Sequence, residues 1–137
     1  MKIVVSACLL GVNCKYSGGN NRNEKIIAFC EGHEVIPVCP ESEGGLPIPR
    51  EPAEIVNGRA TNRVGVDVDA EFHRGADRVL ERIGKDVDLA ILQARSPSCG
   101  VHQIYDGTFT GTLIEGHGIF AEKLIELGIP TRDSSEF

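Results

Sequence analysis

The chain has 137 residues, a length typical of one domain and sufficient to bury a hydrophobic core without disulfide staples. Its formal net charge of −6 argues against broad contact with a nucleic-acid backbone, because phosphate binding needs clustered lysine and arginine. No apolar run approaches the roughly 20 residues that a membrane span needs, so we expect no membrane partner. We predict a single domain over residues 1–137 that binds a small molecule and not a nucleic acid.

The first third of the chain predicts two strands with a helix between them. The β-branched run at 2–7 predicts a first strand rather than a secretory signal, so we expect a cytoplasmic protein. Asn23 is a favoured N-cap residue and predicts a helix over 24–30. The next apolar run predicts a second strand that ends near Cys39.

The middle of the chain changes from an irregular pattern to a helical one. Residues 41–59 are rich in proline and glycine and predict a long irregular segment with a short strand at 53–56. Apolar residues one helical turn apart then predict a helix over about 69–84. The continuous apolar run at 87–94 is typical of a buried parallel strand.

The last part of the chain predicts a loop or hairpin over 104–116, a helix over 117–129 and a short strand over 130–134. Strands that alternate with helices favour a parallel sheet covered by helices. We therefore predict a single α/β domain of Rossmann-like type, with a mainly parallel sheet of about four strands flanked by helices.

Three of the five cysteines follow the ends of predicted strands: Cys8, Cys39 and Cys99. In open α/β sheets, ligands bind outside the carboxyl ends of the strands. If the three strands are neighbours in one parallel sheet, their thiols emerge at the same edge. An odd number of cysteines without a CxxC pair argues against a disulfide framework and against a zinc ribbon.

Converging thiolates are suited to a soft metal, either zinc or an iron–sulfur cluster. A closed structural zinc site needs four ligands, whereas three thiolates leave one position open for catalysis. Cys14 lies in a Gly/Asn-rich loop close to Cys8 and is a possible fourth ligand. Cys30 lies in a predicted helix and is more typical of a core residue.

Polar residues stand beside two of these cysteines. Glu41 follows Cys39 by two residues and is a candidate general acid or base. Ser96 and Ser98 flank Pro97, and serine is common in turns and helix caps. Alternatively, the two hydroxyls face a substrate. Arg50 belongs either to the wall of the same site or to an ordinary surface loop.

The stretches SACLLGVNCKYSGGNN, VIPVCPESEGGLPIPREPAEI and SPSCGVHQIYDGTFTGTLIEGHGIFAEKL resemble the bacterial thiouracil desulfidase family over nearly the whole chain. The resemblance implies a [4Fe–4S] cluster held by Cys8, Cys39 and Cys99, with the fourth iron free of a protein ligand. It also implies that Glu41 and Ser96 are the catalytic pair.

The implied reaction removes sulfur from a thionated pyrimidine such as 2-thiouracil, without net electron transfer, and yields the oxo-base and hydrosulfide. Such an enzyme is a hydrolase or lyase in which Glu41 activates a water and Ser96 positions the substrate or relays a proton. Two alternatives stay open: a non-enzymatic metal- or cluster-binding redox or sensor protein, and an enzyme acting on thiolated tRNA, which the negative charge disfavours.

Overall fold

The structure is a computed structural model that describes residues 1–137. The chain forms eight strands: β1 (Lys2–Ser6), β2 (Glu34–Val38), β3 (Ala53–Val56), β4 (Arg59–Asn62), β5 (Leu89–Leu92), β6 (Gln103–Tyr105), β7 (Leu113–Glu115) and β8 (Thr131–Asp133). Its four α-helices are α1 (Glu24–Cys30), α2 (Pro40–Glu43), α3 (Asp69–Ile83) and α4 (Ile119–Glu126). Two 3-10 helices are present, at Ala7–Leu10 and Ser134–Glu136.

Four strands form a parallel sheet in the order β2-β1-β5-β8. This arrangement confirms the predicted α/β fold with about four parallel strands. β1 lies inside the sheet and pairs with β2 along its full length, up to the pair Ser6 and Val38. All four residues of β5 are buried, as expected for a strand that is covered on both faces.

Helices cover the two faces of the sheet and create two core layers. Side chains alternate along a strand, so Ile3 and Val5 of β1 face one layer and Val4 faces the other. Ile26 of α1 packs in the first layer. α3 and α4 pack in the second, where Phe120 is completely buried.

Most predicted elements occur where the pattern placed them. Asn23 caps α1, its side chain accepting hydrogen bonds from two backbone N–H groups, and the helix ends at Cys30. The predicted helix over 69–84 is α3, which ends one residue earlier. The predicted strand over 87–94 is limited to the four residues of β5.

The segment predicted as irregular, 41–59, is more regular than expected. α2 begins at Pro40 directly after Cys39, and a four-residue helix is too short for the helical apolar period to be visible. β4 pairs with the predicted short strand β3 as an antiparallel hairpin. β6 and β7 form the second hairpin, one of the two options predicted for 104–116.

The longest helix, α3, has 15 residues. None of the helices is sufficiently long and apolar to span a bilayer.

Candidate metal centre

A cavity of about 500 Å³ opens at the carboxyl edge of β1, β2 and β5. This volume lies within the roughly 300–1,000 Å³ typical of small-molecule sites. The two hairpins contribute to its mouth through Ala53 and Tyr105. The cavity therefore lies where ligands are expected to bind in a sheet of this kind.

Cys8, Cys39 and Cys99 all line this cavity. Cys8 lies in the 3-10 turn after β1, Cys39 joins β2 to α2, and Cys99 lies in the turn that follows β5. No cysteine of the chain forms a disulfide. The structure thus brings together the three thiols that the sequence placed at strand ends.

Cys14 lines the cavity as well, whereas Cys30 does not. The Cys39 thiol lies 3.7 Å from the Cys14 carbonyl oxygen and 3.2 Å from the hydroxyl oxygen of Ser42. Cys30 is buried in the core layer beneath α1. Four thiols therefore share the site, three on the sheet edge and one from the loop after the 3-10 turn.

The protein environment shifts the pKa values of these thiols in different directions. Burial raises the pKa of Cys8, and the side-chain amide of Asn21, which donates to the sulfur at 3.7 Å, opposes this only in part. Burial likewise raises the pKa of Cys99 to about 12, against hydrogen bonds from Ser6 and Ser98. The charges of Cys8 and Cys39 raise the pKa of Cys99 further.

The thiols of Cys14 and Cys39 lie close enough to shift each other's pKa in opposite directions. The hydrogen bond from Cys14 lowers the pKa of Cys39, and Ser42 acts in the same direction, against the effect of burial. The same hydrogen bond, together with burial, raises the pKa of Cys14. Cys39 is therefore the thiol of this site that ionises most readily.

Glu41 lies in the first turn of α2 and lines the cavity. Arg50 Nε lies 3.2 Å from Glu41 Oε1, and the side chains of the two residues are only 7% and 16% exposed. Ser98 donates to Glu41 Oε2 at 2.8 Å. Arg50 also donates to the Cys14 carbonyl oxygen at 2.9 Å, so it belongs to the wall of the site and not to a free surface loop.

The two serines of the SPSCG motif have different contacts. Ser96 Oγ accepts hydrogen bonds from the backbone N–H groups of Ser98 and Cys99, at 3.2 Å and 3.0 Å. Its hydroxyl therefore stabilises the turn that presents Cys99, and it also lines the cavity. Ser98 is the serine that contacts Glu41, a distinction that the sequence motif did not indicate.

Aromatic side chains at the mouth were not identified from the sequence. Tyr16, Tyr105 and Phe109 line the cavity. Glu54 accepts hydrogen bonds from the backbone N–H groups of Gly107 and Phe109, at 2.9 Å and 3.1 Å, and so fixes the tip of the second hairpin. The glycines on both sides of this tip indicated a turn but gave no information about the direction in which it folds.

The donor set fits a thiolate-bound cofactor. Iron–sulfur clusters and zinc are held by cysteine thiolates, and no histidine lines the cavity. Cys8, Cys39 and Cys99 lie on three separate segments around one cavity. Glu41 and the two SPSCG serines lie beside it and supply hydrogen-bonding groups.

The chain is similar to known proteins over nearly its whole length. The profile of the 2-thiouracil desulfurase family matches residues 3–136. The uncharacterized protein YbbK of Bacillus subtilis (strain 168) is 37% identical in an alignment 138 positions long, which covers 92% of this chain and 91% of YbbK. The solved structure of a [4Fe-4S]-dependent thiouracil desulfidase, TudS (DUF523Vcz), is 38% identical, with a TM-score of 0.89 and coverage of 99% of this chain and 92% of that chain.

Proposed function

Because the chain belongs to the 2-thiouracil desulfurase family, we propose that it is an iron–sulfur-dependent desulfidase that removes sulfur from a thionated pyrimidine. The products are the oxo-base and hydrosulfide. The observation that carries this proposal is the meeting of Cys8, Cys39 and Cys99 in one cavity beside Glu41. The similarity to TudS, which is described as [4Fe-4S]-dependent, supports the same cofactor here.

In this proposal Cys8, Cys39 and Cys99 hold a [4Fe–4S] cluster through three thiolates. Cys14 lies beside Cys39 and would not ligate the cluster, so that one iron would have no protein ligand. A cluster bound in this way supplies a Lewis-acidic iron for the sulfur of the substrate. Since all five cysteines are unpaired, we place the protein in the cytoplasm, where thiols stay reduced.

Glu41 is the base of the reaction. Its two carboxylate oxygens accept hydrogen bonds from Arg50 and Ser98, and each oxygen keeps a second lone pair for a water molecule. The carboxylate takes a proton from that water as the water oxygen attacks the thiocarbonyl carbon. The C–S bond then breaks, the carbon keeps the oxygen as the oxo group, and the sulfur leaves as hydrosulfide. Ser96, whose oxygen accepts two backbone N–H groups, keeps its hydroxyl hydrogen for donation toward the substrate or toward Ser98.

The substrate is a small planar heterocycle. The cavity volume of about 500 Å³ suits one small molecule together with its cofactor. Tyr105 and Phe109 line the cavity, and aromatic side chains stack favourably on a pyrimidine. The net charge of −6 disfavours a long nucleic-acid substrate.

The test is anaerobic reconstitution with iron and sulfide, followed by an assay of hydrosulfide release from 2-thiouracil. Single alanine variants of Cys8, Cys39 and Cys99 are expected to lose bound iron and activity together. Cys30→Ala is the matched control, because Cys30 is buried outside the cavity, and it should keep both. Cys14→Ala should keep its iron content if three cysteines suffice.

Two results would contradict the proposal. A chain that binds the cluster fully but releases no hydrosulfide from any thionated pyrimidine would support the alternative of a redox or sensor protein. A colourless reconstituted protein with one zinc per chain would exclude the cluster itself.

A further inference from the structure

The hydroxyl of Ser98 connects two distant parts of the chain. Ser98 is almost fully buried, at 3% exposure, and lies in the turn between β5 and β6. Its hydroxyl donates to Glu41 Oε2 at 2.8 Å across a separation of 57 residues. A serine that only shapes its turn would use this hydroxyl on nearby backbone groups.

Ser96 performs the local role instead. Its oxygen accepts from the backbone N–H groups of Ser98 and Cys99 and closes the turn. The two serines of one motif therefore have separate tasks: Ser96 shapes the turn, and Ser98 contacts the carboxylate of another element.

The direction of the hydrogen bonds between these groups follows from the number of hydrogens. A serine hydroxyl has one hydrogen, and an ionised carboxylate can only accept. Ser98 therefore directs its one hydrogen to Glu41 at 2.8 Å, with a longer contact to Cys99 Sγ at 3.7 Å, and its oxygen can only accept from Ser96, whose oxygen lies 3.0 Å away. The result is an ordered chain that runs from Ser96 through Ser98 to Glu41.

We propose that Ser98 is a positioning residue that fixes the Glu41 carboxylate toward the cavity and connects it to Ser96. This inference rests on the proposed function, in which Glu41 is the base. Arg50 holds one carboxylate oxygen and Ser98 holds the other, so the carboxylate cannot rotate about its terminal bond without losing one of the two contacts. A charge-assisted hydrogen bond in a buried position is sufficiently strong to select one orientation.

The experiment compares Ser98→Ala with a matched serine variant. Ser98→Ala is expected to lower kcat for hydrosulfide release by about 100-fold, with KM changed less than about twofold, because a misplaced base slows the chemical step. Iron content and the visible spectrum should stay those of the wild-type protein. Ser98→Thr keeps a hydroxyl and should recover most of kcat, and Ser135→Ala, on the exposed 3-10 helix near the C-terminus, should have no effect.

A double-mutant cycle with Glu41→Gln separates positioning from a structural role. If Ser98 acts through Glu41, Ser98→Ala should cause no further loss of kcat in the Glu41→Gln background. The proposal would be overturned if Ser98→Ala lowered kcat by the same factor in the wild-type and Glu41→Gln backgrounds. A loss of bound iron caused by Ser98→Ala alone would overturn it as well.

The same cycle can be measured without turnover, by urea unfolding of the full chain. Groups in contact give a double variant whose loss of unfolding free energy differs from the sum of the single losses. Additive losses would refute the contact between Ser98 and Glu41. If the wild-type protein releases no hydrosulfide, the proposed function fails, and the unfolding cycle still decides whether Ser98 holds Glu41.

Discussion

The substitution Gly75→Ala tests how the fold holds the proposed catalytic carboxylate in place. Gly75 lies in the middle of α3, where the short helix α2 crosses it. A Cβ atom at Gly75 would lie 1.7 Å from the Pro40 carbonyl oxygen, and 3.0 Å is about the closest approach of real Cβ atoms. α2 would have to move away from α3 by more than one ångström.

Two opposing effects set the expected magnitude. Alanine is the better helix former by about 1 kcal/mol at an interior position. Overpacking against backbone typically costs about 1–3 kcal/mol, and here the nearest atom is a main-chain oxygen that cannot rotate away. Because that oxygen is fixed, we take the upper part of the cost range, about 2–3 kcal/mol, which leaves a net loss of about 1–2 kcal/mol in the free energy of unfolding, or about 4–8 °C in Tm.

The same substitution should reduce activity, because α2 carries Glu41. A displacement on the order of 1 Å at a base can lower the rate about 100-fold. Thermal unfolding followed by circular dichroism measures the first effect, and hydrosulfide release measures the second. Glu81→Ala, at an exposed site on the same helix, is the control and should leave Tm nearly unchanged. If Gly75→Ala raises Tm, as helix propensity alone dictates, the close packing of α2 on α3 is wrong.

Three further outcomes follow from the site. Arg50→Gln removes the cation beside Glu41 and should lower kcat at least about tenfold with iron content unchanged; an unchanged kcat would show that the ion pair does not orient the carboxylate. In cluster-free protein, iodoacetamide at pH 7 should label Cys39 before Cys30, because the pKa of Cys39 is lowered by its thiol partner and that of Cys30 is raised by burial. Peptide mass spectrometry at increasing pH should show labelling of Cys39 already at lower pH, and the reverse order would contradict the assigned pKa directions. Gly118→Ala would place a Cβ 2.4 Å from the backbone of the SPSCG turn, which presents Cys99. The variant should bind less iron per chain in a colorimetric assay, and an unchanged iron content would show that the turn can move.

The sequence indicated the site because its main constraint is topological. Once the apolar runs are recognised as neighbouring parallel strands, the residues that follow them must lie at the same edge of the sheet. The sequence alone therefore predicted that Cys8, Cys39 and Cys99 lie close together. Contacts between loops follow no such rule. The partners of Glu41 come from the loop after α2 and from the turn after β5, and no periodic pattern specifies how two irregular segments meet.

The same reasoning explains which elements were missed. α2 has four residues, so burial of its first residue, Pro40, and its contact with α3 determine the helix more than any pattern of its own. The aromatic mouth depends on Glu54, which lies on one hairpin and binds the tip of the other. Both features are consequences of tertiary packing, in which local sequence preferences are weak.

Most of the folding core lies outside the proposed cofactor site, although Cys8 packs in the first core layer and Cys99 in the second. The two core layers are formed by apolar side chains of the sheet, α1, α3 and α4, and every buried side-chain polar atom has a hydrogen-bond partner within the protein. The fold therefore does not need a metal to satisfy its interior. Alanine variants of Cys8, Cys39 and Cys99 should consequently keep their folded structure while losing iron, so that iron content reports ligation directly. A cysteine variant that loses iron because it unfolds would instead show that the cluster supplies part of the folding free energy, as structural metals do in small domains.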